Sequence, residues 1–174
     1  ISSLQAEIYK AHRLYTDNDA AELIPQSNRL LFSPLGELRF ISFQEGAQVP
    51  LASIFDQLTP YFPQGDDISY QPEREYTDAQ GVLHTRYQQS YAGVPVEGAV
   101  FIVHSQQGNV LYANGNAFAI GNLATAPPIN ETTALENALA HLHEKGIEGE
   151  LSQSESALLI TGILPGVQQH VLAH

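Results

Sequence analysis

The side chains of this chain with the plainest potential for metal or acid–base chemistry are its 7 histidines and 19 acidic residues. His141 and His143 stand two apart in a segment with helical spacing, so they point to different faces of that helix. Zinc sites on helices use two histidines four apart, as in H-E-x-x-H. Here Ile147 occupies the position where the second histidine would be needed. The pattern therefore favours a solvated helix end, with histidine near the negative pole of the helix dipole.

Two further histidines, His84 and His104, lie at the ends of predicted strands. Either is a possible metal ligand, although a hydrogen-bonded or exposed histidine is the commoner outcome. Nucleophilic catalysis has no support, since the sequence contains no Cys, no G-x-S-x-G elbow, no S-x-x-K motif and no phosphate-binding loop. Neighbouring carboxylates such as Asp66 and Asp67 belong to acidic runs that are typical of a solvated surface. The residues by themselves give no positive support for an enzyme.

The composition excludes two kinds of partner. The formal net charge is −12, and nucleic acids and anionic membranes both bind clustered Lys and Arg. No apolar run is long enough to cross a bilayer. The sequence contains no Cys, so disulfides say nothing about the redox compartment. It also contains no Met, so the natural start is expected upstream, and a removed signal peptide and a trimmed chain both explain this.

The first half of the chain predicts short helices and one hairpin. Residues 2–14 carry apolar residues at helical spacing, and residues 17–28 suggest a loop with one helical turn. Alternating apolar residues predict a hairpin with strands near Arg29–Ser33 and Glu37–Gln44. A short helix with one apolar face follows, and two prolines are expected to end it. Its residues are Leu51, Ile54, Phe55 and Leu58, followed by Pro60 and Pro63.

Residues 75–118 form the strongest β region, with turns marked by the segments DAQG, YAGVP, QQGN and NGN. In residues 100–104 both alternating sets of side chains are apolar up to His104. This strand is therefore predicted to be central in the sheet and covered on both faces. Gly98 permits a bulge, and Gly108–Asn109 is a candidate for a hairpin turn.

The last third of the chain predicts a linker, a helix and a strand. Gly, Ala, Thr and paired Pro dominate residues 121–129, a composition typical of a linker. Asn130 is expected to cap a helix that Gly146 ends. The apolar stripe of this helix consists of Leu135, Ala138, Leu139 and Leu142. The segment SALLIT, residues 156–161, predicts a strand.

The residue order of the β region resembles the propeptide of secreted thermolysin-family zinc metalloproteases. In that family an aromatic-Gln-Gln-x-Tyr-x-Gly-(Val/Ile)-Pro-Val-x-Gly strand pair leads into an apolar strand that ends in Val-His. A Gly-containing turn and a strand ending in Gly-Asn follow. The corresponding residues here are Tyr87, Gln88, Gln89, Tyr91, Gly93, Val94, Pro95, Val96, Gly98, Val103, His104, Gly108, Gly115 and Asn116.

The resemblance implies an α+β fold, in which an antiparallel sheet with short helices is followed by a smaller cystatin-like α+β module. The implied division is a thermolysin-type propeptide module over residues 1–122, a linker over 123–129, and a second propeptide module over 130–174. The family has several more strands after the segment SALLIT, including one with a D-A-x-T-G turn. Either the second module is abbreviated here, or residues are missing between Thr161 and His174.

The resemblance also implies a function. Such a pro-region is not catalytic, and acts as an intramolecular chaperone and inhibitor of its own secreted or periplasmic protease. The expected partner is the mature catalytic domain of the same precursor, which holds zinc and calcium. The chain itself is expected to need no cofactor, and to bind neither nucleic acid nor membrane.

The C-terminal segment V-L-A-H resembles propeptide ends in the vibriolysin and pseudolysin branch, where autocleavage follows a His. This implies that Leu172, Ala173 and His174 stay in the substrate cleft after cleavage. The new α-carboxylate of His174 would approach the partner's zinc, for which carboxylate oxygen is an ordinary ligand. An arbitrary chain end is the alternative.

Two other classes of protein remain as alternatives. A stand-alone extracellular binding or protease-inhibitory domain would use the same fold without a protease attached. An independent hydrolase or metalloenzyme would need zinc bound by the chain itself, and ranks last.

Overall fold

The computed structural model describes residues 12–147 and 157–161. Within these residues the main element is an antiparallel sheet of seven strands, in the order β1-β2-β3-β7-β6-β5-β4. The strands are β1 (Arg13–Thr16), β2 (Ser27–Phe32), β3 (Leu38–Phe43), β4 (Ile68–Thr77), β5 (Leu83–Tyr91), β6 (Val94–Gln106) and β7 (Asn109–Gly115). The α-helices are α1 (Asp17–Leu23), α2 (Ile54–Leu58) and α3 (Glu131–Glu144). The sheet and short helices confirm the α+β fold class.

The predicted hairpin is confirmed as β2 and β3, which pair antiparallel. The loop predicted after residue 17 is wrong in part, because α1 runs for 7 residues and Ala20 within it is fully buried. The helix predicted over residues 2–14 lies mostly outside the described residues, but its last part is wrong, since Arg13 and Leu14 belong to β1. The short helix α2 ends before Pro60, which lies in a following 3₁₀ turn.

One face of the sheet, the covered face, carries the core. Because the register is antiparallel throughout, one cross-strand row can be followed across all seven strands. It consists of Tyr15, Leu30, Ile41, Ala113, Val103, Thr85 and Glu75. Helices α1 and α2 pack on this side through Ala20, Ile54 and Leu58. Fully burying each large apolar side chain contributes about 1.5–3 kcal/mol, which makes this layer the main source of stability.

The opposite face, the open face, corrects one prediction. Strand β6 is central, as predicted, and its covered-face residues Phe101 and Val103 are buried. Its other apolar residues, Val100 and Ile102, are only partly buried. An apolar second face predicts burial only if something packs on it, and the described part of this chain does not bury these side chains. The prediction of two covered faces is therefore wrong as far as residues 12–147 and 157–161 are concerned.

Two tight turns fix the register of the central hairpins. Ala92 and Gly93 join β5 to β6, and Gln107 and Gly108 join β6 to β7, with positive φ at all four residues. This is the type I′ geometry, whose twist matches that of paired strands. The turn predicted at Gly108–Asn109 is therefore displaced by one residue, since Asn109 already begins β7.

The region after the sheet contains α3 and one short contact. The Oδ1 atom of Asn130 accepts a hydrogen bond from the N–H of Thr133 at 2.9 Å, which confirms the predicted cap. Residues 157–161 contribute a parallel bridge to the start of β6, where Ile160 donates to the carbonyl of Pro95 at 2.9 Å and accepts from the N–H of Glu97 at 2.8 Å. The strand predicted over 156–161 is thus limited to one bridge in the described residues. The division into two modules stays a prediction.

Candidate functional site

Gln89 of β5 connects the sheet to the segment that follows β7. Its side chain is fully buried. The amide Nε2 donates to the carbonyl of Phe118 at 2.8 Å, and Oε1 accepts from the N–H of the same residue at 2.9 Å. These two bonds imitate a pair of sheet hydrogen bonds, so Gln89 holds residue 118 as a neighbouring strand would.

Gln88 holds the bulge that the sequence predicted at Gly98. The pairing of β5 with β6 is irregular between Gln88 and Ser90, and Gly98 has a φ of +73°. The Nε2 atom of Gln88 lies 2.8 Å from the carbonyl oxygen of Val96 and 3.3 Å from that of Ala99. It thereby donates to carbonyls in the stretch of β6 that the pairing with β5 skips.

Gly115 is required by a close backbone approach. A Cβ at this position would lie 2.1 Å from the carbonyl oxygen of Val100 and 2.6 Å from the Cα of Phe101. The next residue, Asn116, donates its N–H to that same carbonyl of Val100 at 2.8 Å. Its side-chain Oδ1 accepts a hydrogen bond from Arg39.

The remaining motif residues pack or pair within the sheet. Tyr87 lies on the covered face, with its ring centroid 4.4 Å from that of Phe55. Tyr91 is buried, and its hydroxyl accepts from the N–H of Leu123 at 3.4 Å. Pro95 pairs with Ser90, and its carbonyl receives the bond from Ile160. Burial, followed by the charge of Glu75, raises the pKa of Tyr87.

The open face has two complete cross-strand rows. Each contains one residue from every strand, read from the register of the six strand pairs. The first row is Leu14, Leu31, Phe40, Asn114, Ile102, Arg86 and Arg74. The second is Thr16, Arg29, Ser42, Tyr112, His104, His84 and Tyr76.

Five rings from five strands form a continuous ladder across this face. Neighbouring ring centroids lie 4.5, 4.6, 4.0 and 6.4 Å apart, and three of the four pairs are stacked. The rings are, in order, Tyr76, His84, His104, Tyr112 and Phe40. Cross-strand aromatic pairs each stabilise a sheet by about 0.2–1 kcal/mol. The ladder therefore stabilises the pairing of these five strands from the open face.

The two histidines of the ladder belong to one hydrogen-bonded chain. Asp78 Oδ2 lies 2.9 Å from His84 Nε2, the two Nδ1 atoms of His84 and His104 lie 2.6 Å apart, and His104 Nε2 lies 3.1 Å from Asn114 Oδ1. Asp78 also accepts from the N–H groups of Gln80 and Val82, which fixes the β4–β5 turn.

The Nδ1–Nδ1 contact holds one hydrogen atom and excludes a second. His84 donates its Nε2–H to Asp78 and His104 donates its Nε2–H to Asn114, so the single hydrogen between the two rings lies on the Nδ1 atom of one of them. If both rings were charged, two N–H groups would face each other across 2.6 Å. Burial lowers the pKa of His104, and a charged His84 would lower it further, whereas the bond to Asn114 and the charge of Asp78 oppose this. The hydrogen bond from His84 lowers the pKa of Asp78.

The charged residues of the open face are basic. The two rows contain Arg29, Arg74 and Arg86 and no carboxylate, although the chain as a whole has only 7 Lys and Arg against 19 acidic residues. The two acids at the edge of the face already have partners, since Glu73 accepts from Arg86 at 2.6 Å and Asp78 from His84. The open face therefore combines aromatic rings with an excess of arginine, the composition typical of protein interfaces.

The sequence-predicted residues fall into two groups. The family-motif residues lie together in β5, β6, β7 and their connections, and mostly stabilise the sheet. His104 also belongs to the open face. Leu172, Ala173 and His174 lie outside the described residues. His141 and His143 lie in the last turn of α3, away from the histidine pair in sequence and element.

Sequence reasoning missed the partners of His104 on the open face. His84 was expected to be an isolated histidine, and neither Tyr76 nor Tyr112 had a predicted role. The usable signal was spacing by two, which places His84 with Arg86 and Tyr112 with Asn114 on one side of their strands.

Two features are absent from the part of the chain that the structure describes. No group of three or more His, Cys, Asp or Glu side chains there is arranged to hold a metal ion. No helix in those ranges has the length and apolar character needed to span a membrane.

Comparison with protein families finds the Fungalysin/Thermolysin Propeptide Motif over residues 69–117. The match begins in β4 and contains β5, β6 and β7 completely, including all the motif residues from Tyr87 to Asn116. No curated protein matches the chain. The motif supports a thermolysin-type propeptide, the non-catalytic pro-region of a metalloprotease precursor, as the sequence predicted.

Proposed function

We propose that this chain is the pro-region of a secreted zinc metalloprotease of the vibriolysin and pseudolysin type, and that it assists the folding of its catalytic domain and then inhibits it. The observation that carries this proposal is the propeptide motif at residues 69–117. Its residues occupy positions that fix the geometry of β5, β6 and β7, such as the paired hydrogen bonds of Gln89 and the close approach at Gly115.

A preformed sheet suits a folding assistant. A partner that binds only the native state stabilises that state by RT ln(1 + [L]/Kd), where [L] is the concentration of the free partner and Kd is its dissociation constant. When both parts belong to one precursor, the effective concentration reaches about the millimolar range, so even moderate affinity is effective. Because the surface that binds the folded enzyme persists after cleavage, the same interface inhibits the mature protease.

The C-terminal residues supply the inhibitory contact at the active site. Leu172 and Ala173 occupy the substrate subsites after autocleavage, and the α-carboxylate of His174 lies toward the zinc of the catalytic domain. Zinc and calcium belong to that domain. The mature catalytic domain is the partner, and the complex forms outside the cytoplasm, in the periplasm or the medium, after removal of a signal peptide.

Folding assistance is tested by refolding the catalytic domain with this chain added. The mature protease is unfolded in denaturant and diluted with one equivalent of the chain, or of serum albumin as the control. The yield of soluble, folded protease is then measured by near-ultraviolet circular dichroism. We expect a several-fold higher yield with the chain. Equal yields with the chain and with albumin would contradict a folding role and favour a stand-alone binding domain.

A further inference from the structure

We propose that the open face of the sheet is the surface that binds the catalytic domain, and that the contacted surface of that domain is apolar at its centre and acidic around it. This inference rests on the proposed function, whose partner it assigns to one of the two faces of the sheet. The covered face is packed against α1 and α2, so among the described residues only the open face presents side chains from all seven strands to a partner.

The centre of the open face is apolar and incompletely buried. Val100 and Ile102 of β6 and Tyr112 of β7 are only partly buried, although they lie in the middle of the sheet. Strands with apolar residues on both faces are typical of sheets that are covered on both sides. A partner seated on this face would complete that burial.

The charge of the open face selects the kind of partner. Arg29 and Arg74 are exposed, and the Arg86 side chain is 44% exposed beside Glu73. A second copy of this chain would offer these arginines no new carboxylate, since the rows contain none and the two acids at the edge, Glu73 and Asp78, already have partners. An acidic rim on the partner is complementary to these groups, and complementary charges guide association and fix the orientation of docking.

The propeptide motif coincides with this face. Residues 69–117 supply the row positions of β4 to β7, including Tyr76, Arg86, Ile102, His104 and Tyr112. The segment that identifies the chain as a propeptide is thus the segment that builds the centre of the open face. Its rings already contact one another in the free chain, so these side chains have less freedom to lose on binding.

The test measures the affinity of open-face variants for the mature catalytic domain, inactivated at its catalytic glutamate so that the chain is not degraded. Tyr76→Asp and Arg74→Glu change exposed residues of the open face. Leu35→Asp is the matched control, because Leu35 is 80% exposed in the β2–β3 turn and outside both rows. Ile102→Asp changes the centre of the face, and circular dichroism reports whether each variant folds.

Calorimetric titration should show at least a tenfold larger Kd for Tyr76→Asp, Arg74→Glu and folded Ile102→Asp, and a Kd within about twofold of wild type for Leu35→Asp. The Arg74→Glu variant should also show a weaker dependence of affinity on salt. If the wild-type chain binds and the open-face variants bind with the same Kd, this inference is overturned and the proposed function remains intact. Absence of wild-type binding would contradict the proposed function itself.

Two other occupants of the open face give different results. A second copy of the chain would produce a dimer in analytical ultracentrifugation that Tyr76→Asp dissociates. If the remaining residues of the same chain cover the open face, the open-face variants should be less stable to urea, and their Kd for the catalytic domain should not change. Either result would overturn the assignment to the catalytic domain.

Discussion

At the scale of single residues, Gln89 shows how a polar side chain can specify a strand end. Its buried amide donates to and accepts from Phe118, so it replaces the two hydrogen bonds that a further strand would make. The motif predicted that Gln89 is important, but the sequence could not identify its partner, because Phe118 lies 29 residues away and outside regular structure.

Replacing this amide is expected to destabilise the fold. Gln89→Leu leaves the backbone groups of Phe118 without their partners and puts an apolar side chain among polar atoms, at a cost of about 1–3 kcal/mol. Gln71→Leu changes the same residue type at an exposed position of β4 and is expected to stay within about 0.5 kcal/mol of wild type. Urea unfolding measures both. Equal stability of the two variants would contradict the role assigned to Gln89.

A second prediction at this scale concerns Gly115. A methyl group there would overlap the backbone of Val100 and Phe101, which cannot move aside as a flexible side chain can. Gly115→Ala should therefore destabilise the protein by about 1–3 kcal/mol or more. Gly121→Ala is the control, because a Cβ at position 121 meets no atom within 4 Å. Thermal unfolding of both variants checks the prediction, and a Tm for Gly115→Ala equal to that of Gly121→Ala would refute it.

At the scale of elements, the sequence predicted local features well and cross-strand features poorly. The hairpin of β2 and β3, the bulge at Gly98 and the cap at Asn130 each depend on a few neighbouring residues. The ring ladder depends on the register of five strands that are far apart in sequence. One slip of register would send its rings to the other face, so period-two spacing alone could not assemble it.

The same reason explains the wrong prediction for β6. Its apolar residues on both sides indicated a strand with two covered faces, and that pattern is a property of the strand alone. Whether both faces are covered depends on what packs against the sheet. Within the described residues α1 and α2 occupy one side, and no helix packs on the other.

The histidine pair predicts a pH dependence of stability. Because burial lowers the pKa of His104 in the folded state, the unfolded chain takes up this proton more readily, and stability is lost as the pH falls. The full contribution is present above the ordinary pKa of 6.5 and disappears as the pH drops through the lowered value. The pKa of Asp78 is also lowered, so its contribution is present above 3.8 and is lost only at more acidic pH.

Urea unfolding between about pH 8 and about pH 5 measures this loss. We expect the free energy of unfolding of wild type to fall over this range, and to fall less in His104→Gln, which cannot take up the proton. His143→Gln removes a histidine of the exposed helix α3 and serves as the control. A decline in His104→Gln as steep as in wild type would mean that the pair is not responsible.

At the scale of the whole molecule, charge and composition predicted which partners to exclude, and the residue order predicted the class of protein. The net charge of −12 hides a local excess of arginine on the open face. A total charge cannot reveal such a segregation, since it depends on which strands become neighbours. The open face can therefore be recognised only from the fold, whereas the propeptide motif can be recognised from the sequence.

The C-terminal cleavage segment gives a prediction for the whole precursor. If Leu172 enters an apolar subsite of the protease, Leu172→Asp should slow autocleavage by at least tenfold, because the carboxylate loses its hydration there. Leu172→Ile keeps an apolar side chain of equal size and is the control. Gel electrophoresis of the expressed precursor over time measures the cleavage rate. Equal processing of the aspartate variant and wild type would remove Leu172 from the substrate cleft.

The most direct measurement of the central claim is a titration of the purified chain into the mature cognate protease, with hydrolysis of a peptide substrate as the signal. The account predicts that activity falls in proportion to added chain and ends near one equivalent, because a tight one-to-one complex blocks the active site. Full activity in the presence of excess chain would show that the chain does not inhibit, and would contradict its assignment as an inhibitory propeptide.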